Sequence, residues 1–281
     1  LAAFRGSKYV QSHVGDTFKQ AEQFLKQGRQ VLFSGTPCQI AALKLFLRKD
    51  YENLLAVDFI CHGTPSPGVF RWYLSEEFAK EAARQSGEKI QFRSSLPIPS
   101  IAKADVLARE QGFEIEDIRF RDKRVGWKKY SFVLSLKSLS KVTTAGEKNS
   151  VSLSGIVGKH AYLEGFLKDL YLRPSCYMCP TKSGKSGADI TLGDYWGIQT
   201  LMPELDDDRG VSALTINTKK GRKAIHSTTA ELYVTPYEDL CKKNPSLKHS
   251  CLVPSKRVQF FGNTNDSFHQ RIKRLCRMPL K

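Results

Sequence analysis

Apolar residues recur along the first sixty positions with a changing period, and the change predicts the fold. Phe18, Ala21, Phe24 and Leu25 fall at helical spacing behind Asp16, a helix-capping residue, and Gly28 stops the run. Residues 30–34 then read as a short buried strand, and Gly35 to Pro37 as a turn. Ile40, Leu43, Leu45, Phe46 and Leu47 are the apolar side of a second helix. A further apolar run at 54–60 completes strand, helix, strand within about 30 residues, the length of a parallel crossover unit. The pattern predicts an α/β fold with a mixed, largely parallel sheet and flanking helices.

Farther along, Ser66 and Pro67 supply an N-cap and a first-turn proline for a helix to about Arg84. Residues 94–101 read as a loop, 118–121 and 132–136 as strands joined by a basic turn, and 138–154 as a polar hairpin connection. Helices are predicted at 159–170 and 219–229, and strands at 190–193 and 211–217. The chain divides into a domain at 1–200 and a basic α/β extension at 201–281 that ends in a helical segment. No internal repeat is visible.

Composition narrows the class. With 281 residues, 41% of them hydrophobic, the chain can bury a full core without disulfide staples. Its longest apolar stretches fall far short of the roughly 18 residues that a membrane span needs. The start at Leu1, with Lys8 and Tyr9 close behind, reads as a fragment of something longer without an export signal, so the expected compartment is the cytoplasm. The net charge of +16 is uneven: residues 121–281 hold 28 basic and 14 acidic side chains. That field attracts anions such as nucleotides, phosphorylated coenzymes or an acidic partner. The tail from 252 to 281 has seven basic residues and one acid, Asp266, which suits a solvated basic face, an amphipathic surface helix or a docking segment.

The seven cysteines belong to a reducing compartment, where paired cysteines more often mean metal or redox chemistry than disulfides. Cys38 and Cys61 both sit at carboxyl ends of predicted parallel strands, where ligands gather, so the two are expected to be neighbours. Cys176 and Cys179 form a C-x-x-C pair, which alone is half of a zinc site, a dithiol, two cluster ligands or coincidence. With Cys38 and Cys61 the count is four thiolates, enough for a zinc tetrahedron or a [4Fe-4S] cluster. Two isolated ligands at strand ends favour the cluster over the paired knuckles usual for zinc.

Other positions carry two readings each. Gly35, Thr36 and Pro37 form either a phosphate-cradling turn or a tight turn that aims Cys38. His62 beside Cys61 does not make a nucleophilic dyad, since adjacent strand residues face opposite ways. Asp189 and Asp194 bracket a short strand and serve either as proton or hydroxyl partners or as caps and turn contacts. Arg119, Arg121, Lys123, Arg124, Lys128 and Lys129 surround Trp127 and could hold a planar anion or single-stranded nucleic acid. No nucleic-acid-binding motif is present, so nucleic acid is not an expected partner, and membrane contact is at most peripheral.

Several ordered motifs together resemble the beta-subunit family of coenzyme F420 hydrogenases and dehydrogenases. They are Arg5 to Ser12 (RGSKYVQS), Val31 to Gln39 (VLFSGTPCQ), Val57 to Gly63 (VDFICHG), Pro65 to Pro67, and Cys176-x-x-Cys179 followed by Asp189 to Asp194 (DITLGD). The resemblance runs from about residue 4 to about residue 198. Phe120 to Lys123 with Gly126 and Trp127 is similar to the bacterial, polysaccharide-associated branch. What the resemblance implies is an iron-sulfur flavoprotein oxidoreductase that moves electrons between a [4Fe-4S] cluster and a hydride-accepting substrate through FAD. Cys38, Cys61, Cys176 and Cys179 fall where the family's cluster ligands fall. Ser7, Lys8, Tyr9 and Thr36 become candidates for the flavin pocket, and Asp194 for a residue near the reacting centre. The implied partners are a ferredoxin-type carrier, or the ferredoxin module that family members carry ahead of this region, and an anionic small-molecule substrate. Cys241, Cys251 and Cys276 receive no role. The competing expectation is a binding module in which the four cysteines hold zinc and the basic half grips an anionic polymer or glycan lipid.

Overall fold

The computed structural model describes residues 6–87, 104–139, 150–262 and 266–276. They belong to two compact units that alternate along the chain. One comprises Leu1–Gln11, Thr64–Arg173 and Leu252–Lys281, the other Ser12–Gly63 and Pro174–Cys251. Residue 200 lies inside the second.

That second unit starts with helix α1 (Thr17–Lys26), then strand β1 (Val31–Ser34), helix α2 (Pro37–Leu47) and strand β2 (Leu54–Phe59). β1 and β2 pair in parallel, Val31 opposite Leu54 and Ser34 opposite Val57, as the crossover pattern predicts. Asp16 makes no side-chain cap. The α2 terminus is better closed. The Gln39 N–H donates to Thr36 Oγ1 at 3.4 Å, the Thr36 N–H donates to Gln39 Oε1 at 2.9 Å, and Pro37 holds the first turn. Ala21, Leu25, Leu43, Leu47 and Leu54 form one buried cluster between helices and strands. Ile40, Ala56 and Ala188 form a second.

The chain next builds the first unit. It contains α3 (Pro67–Ser86), α4 (Ala104–Glu110), β3 (Phe113–Asp122), β4 (Ser131–Ser138), β5 (Ser150–Ile156) and α5 (Ala161–Leu167). The three strands form an antiparallel sheet in the order β3-β4-β5. β5 corrects the sequence reading of 138–154 as connection alone. Its serines stand at exposed positions that alternate with half-buried Val151 and Leu153, a strand period concealed by low hydrophobicity. The predicted loop at 94–101 and residues 140–149 lie outside the described residues, as does Arg5 of the first motif.

Returning to the second unit, β6 (Ile190–Asp194) is followed by α6 (Ile198–Leu201), β7 (Ser212–Ile216), α7 (Lys219–His226) and α8 (Tyr237–Lys243). β6 lies parallel to β2, and β7 closes the sheet antiparallel, giving the order β1-β2-β6-β7. A Cβ at Gly221 would strike the Asp189 carbonyl, so glycine is what lets α7 rest on the start of β6.

The chain ends back in the first unit with α9 (Arg257–Phe261) and α10 (Phe268–Cys276). Phe268 packs edge-on to Trp72 at 5.2 Å, Ile272 and Leu275 are buried, and Arg271 donates to the Phe260 carbonyl at 2.7 Å. α10 is therefore an amphipathic helix whose apolar side is core and whose Lys273 and Arg274 are exposed, in keeping with the surface-helix reading.

Candidate redox site around four thiols

The four motif cysteines all belong to the parallel-sheet unit, and all seven cysteines are reduced thiols. Cys38 opens α2 behind the capping box. Cys61 follows the end of β2, where the Ile60 N–H still donates to the Leu192 carbonyl at 2.7 Å. A Cβ at Gly193 would come within 2.5 Å of Ile60 Cδ1, so glycine allows this close approach. Cys176 lies in a single 3-10 turn, Pro174–Met178, anchored by buried Tyr177. The fold brings these positions into one electrostatic neighbourhood. Burial pushes the Cys61 thiol up to about 12, the Lys182 charge opposes that, and Cys176, Cys38 and Cys179 each add to it.

Two of the sulfurs meet hydroxyls: Thr36 Oγ1 lies 3.1 Å from Cys38 Sγ, and Thr181 Oγ1 lies 3.1 Å from Cys179 Sγ. The loop after the C-x-x-C pair is tied down by groups that sequence reasoning missed. Lys182 Nζ donates to the carbonyls of Cys61 at 2.6 Å and Ser246 at 2.8 Å. The Cys179 N–H donates to Ser250 Oγ at 3.0 Å, and the Ser183 N–H to the Leu247 carbonyl at 2.8 Å. Lys182 is one of 44 basic residues, and only its place three positions after Cys179 hinted at a role.

Of the two carboxylates at β6, Asp189 is a structural brace. Its Oδ2 accepts from the Ala56 N–H at 2.8 Å and its Oδ1 from the Thr218 hydroxyl at 2.7 Å. Asp194 ends β6, half-buried and paired by backbone with Ser212. His62 has a different thiol neighbour from the one its sequence position suggests. Cys251 Sγ donates to the His62 carbonyl at 3.0 Å and lies 3.9 Å from His62 Nδ1.

The flavin candidates divide between units, with Ser7, Lys8 and Tyr9 in one and Thr36 in the other. The Tyr9 ring stacks on Phe166 at 4.8 Å, while its carbonyl accepts from the Tyr162 hydroxyl at 3.1 Å. Nor does the basic run around Trp127 offer an aromatic face. Trp127 is fully buried, Arg119 pairs with Asp117 and Asp122, Arg124 pairs with Asp122, and Arg121 lies over Tyr130. Trp127 therefore has no ring face to stack on a planar anion there, and Arg119, Arg121 and Arg124 are engaged by neighbouring aspartates and Tyr130.

Among the described residues, no helix is long and apolar enough to cross a membrane. Comparison with curated proteins and with solved structures returns no match. A family model does match over residues 28–239, and it describes the C terminus of the coenzyme F420 hydrogenase/dehydrogenase beta subunit. It spans well over half of the chain, includes all four motif cysteines, and continues past residue 198, where the motif resemblance ends. The chain therefore belongs to the coenzyme F420 hydrogenase/dehydrogenase beta-subunit family, within its C-terminal part, and is of that oxidoreductase, electron-transferring kind.

Proposed function

We propose that this chain is an iron-sulfur flavoprotein oxidoreductase in which Cys38, Cys61, Cys176 and Cys179 hold a [4Fe-4S] cluster. The observation that carries the reading is the mutual electrostatic reach of Cys61 and the other three thiols, drawn from segments more than a hundred residues apart in sequence. The donor set suits the group, being four soft sulfurs, three half-buried and that of Cys38 exposed, with one ammonium, Lys182, near Cys61. When bound, the cluster supplies single-electron exchange and FAD the conversion to hydride transfer.

The chain's own residues then have defined tasks. Lys182 fixes the Cys61 strand end and places positive charge against the thiolates. Ser250 orients Cys179 through its N–H. Once Cys38 and Cys179 lose their protons to become ligands, the hydroxyls of Thr36 and Thr181 are the donors in the two contacts to sulfur. The Thr36 hydroxyl and the Tyr9 ring are thus engaged elsewhere, so FAD is proposed from the family resemblance and no step is derived through it. A ferredoxin-type carrier, an anionic substrate, a place in polysaccharide biosynthesis and a cytoplasmic setting complete the reading.

The test is iron, sulfide, zinc and flavin content on protein purified without oxygen, alongside Cys38→Ser and Cys176→Ser. About four irons and four sulfides per chain, lost in both variants, is the expected result. One zinc without iron or flavin overturns the reading and favours the zinc-stabilised binding module.

A further inference from the structure

Charge is unevenly placed around the four thiols. The loop that carries the C-x-x-C pair, residues 176–188, is hydrogen-bonded along its length to the loop at 244–251. Besides its bonds to Ser246, Leu247 and Ser250, it makes one from Ser183 Oγ to the Lys248 carbonyl at 3.2 Å. With 35–39 and 60–63, these segments carry or brace all four thiols. None of the four segments contains an acidic residue, although acids make up 28 of the 281 residues. Basic residues are present instead: Lys182, Lys185, Lys248 and His249 lie in the two loops, and Lys242 and Lys243 end α8 just ahead of the second.

The partners of these lysines show which are spoken for. Lys182 is turned inward to the Cys61 and Ser246 carbonyls, and Lys242 is answered by Asp239 at 2.6 Å. Lys185 and Lys243 are exposed, and half-buried Lys248 holds its ammonium 5.3 Å from the centre of the Tyr237 ring. None of these three has a carboxylate within ion-pair distance among the described residues. On α1 of the same unit, by contrast, Lys19 pairs with Asp16 and Lys26 with Glu22. Between the two cysteines of the C-x-x-C turn, Met178 is 81% exposed, a flexible apolar side chain able to fit more than one surface. An exposed apolar residue beside a thiol site, bordered by unanswered positive charge, has the make-up of a small, transient docking surface. The apolar centre gives contact, and the charges steer encounter and select the sign of the partner.

We propose that this surface, Met178 with Lys185, Lys243 and Lys248, docks the acidic face of an iron-sulfur electron-carrier protein. The proposal rests on the reading that the four thiols hold a cluster, and adds to it the place and the sign of the contact. A protein is favoured over a small anion because the unanswered charges are spread over two loops and a helix end. The cavity of about 390 Å³ at the end of β2 has Lys182 as its lining lysine among the described residues, and that ammonium already serves two carbonyls. Helix α7 is also basic, with Lys219, Arg222 and Lys223 exposed. It rests on the start of β6, whereas Cys61 follows the end of the parallel strand β2, so α7 supplies a control of like charge away from the thiols.

The experiment is isothermal titration calorimetry of the full chain, purified without oxygen, with an acidic bacterial-type two-[4Fe-4S] ferredoxin as the probe. Iron and sulfide are assayed on the same samples. The triple variant Lys185→Glu, Lys243→Glu, Lys248→Glu is compared with a triple variant of equal charge change on α7, Lys219→Glu, Arg222→Glu, Lys223→Glu, and circular dichroism establishes that each is folded. Binding in the parent is expected to weaken as salt rises, to fall about tenfold or more in the first variant and to fall less than about threefold in the second. If the first variant does not fold, Lys185→Glu with Lys243→Glu, both at exposed positions, carries the comparison. No binding by a parent that holds iron, or equal loss in the two variants, overturns the docking surface and leaves the cluster reading standing. A parent without iron that still binds through the three lysines keeps the surface and overturns the cluster reading, and a parent with neither iron nor binding overturns both. Lysine-dependent binding to phosphatidylglycerol vesicles, with none to the ferredoxin, overturns the proposal in favour of a membrane.

Discussion

In the unit built on the antiparallel sheet, one cluster of charged side chains is closed on itself. His269 sits between two carboxylates, its Nδ1 3.1 Å from Glu76 and its Nε2 3.1 Å from Glu77, and Lys80 meets Glu77 at 2.8 Å. Burial works to raise the Glu77 carboxyl, but the hydrogen bond from His269 and the charge of Lys80 outweigh it and hold it at about 2. His160 accepts the Leu163 N–H on Nδ1, which places its proton on Nε2 facing the Tyr73 hydroxyl at 2.9 Å, and its ring stacks on Phe132 at 4.3 Å. In the unit built on the parallel sheet, four thiols share one electrostatic neighbourhood, and the buried Asp58 carboxyl keeps one oxygen without a hydrogen-bond partner among the described residues. The difference teaches where chemistry is to be sought: a closed charge cluster beside an aromatic core stabilises, while thiols gathered at strand ends are ready to bind.

The comparison breaks most decisively at the thiols. Cys61→Ser is expected to abolish essentially all cluster iron and sulfide while leaving the near-UV circular dichroism of the Tyr73, Tyr162 and Phe132 cluster intact. Loss of both signals would mean that the aromatic core depends on the thiol site. The reverse substitution, Phe132→Ala, removes a fully buried ring and should cost about 3–5 kcal/mol in urea unfolding of its own unit, with metal content per folded chain unchanged.

Acid sharpens the contrast. Burial holds His160 down at about 4, so the unfolded chain binds a proton there from pH 6.5 downward that the folded chain refuses. Stability in this unit is therefore fully present above pH 6.5 and falls as pH drops toward 4, by on the order of 3 kcal/mol. The loss continues through Glu77 between 4.5 and about 2. His269, raised because its bonds to Glu76 and Glu77 outweigh desolvation, acts oppositely and loses its contribution as pH rises through its raised value. His160→Asn keeps an N-cap acceptor for α5 and should flatten the slope between pH 6.5 and 4 in thermal melts. A slope that persists would assign the acid sensitivity elsewhere. The smallest effect is expected at Gly221→Ala, about 1–3 kcal/mol, as α7 shifts off the Asp189 carbonyl. A neutral result in the same melts would show that the helix can yield at no cost.

Much of this was legible along the chain, and the exceptions share a cause. The periods of α1 and α2, the cap of α2, and the apolar runs of β1 and β2 announce the crossover because each acts over a few residues. Cys38 and Cys61 could be placed at strand ends for the same reason. Asp58, by contrast, reads in sequence as one acid inside an apolar run, and its partners across the sheet, Thr191 and Thr215, stand more than 130 residues away. Trp127 looked available to a ligand because basic residues flank it, yet the core takes the ring and nearby aspartates engage Arg119 and Arg124. Asp189 and Asp194 were indistinguishable by type, and only the Ala56 and Thr218 contacts mark Asp189 as a brace.

By itself the sequence determined the α/β class, the parallel crossover, the four thiols with their spacing, and membership in the family, since all of these depend on local period, capping and residue type. Tertiary structure alone decided that the units alternate along the chain, that β6 lies beside β2 after an excursion of more than a hundred residues, and that Lys182 and Ser250 secure the thiol loops. It also decided that one oxygen of the buried Asp58 carboxyl has no hydrogen-bond partner among the described residues. The physical reason is range: propensities and caps act within a turn or two of the backbone, whereas burial and strand pairing join residues whose separation along the chain no local pattern encodes.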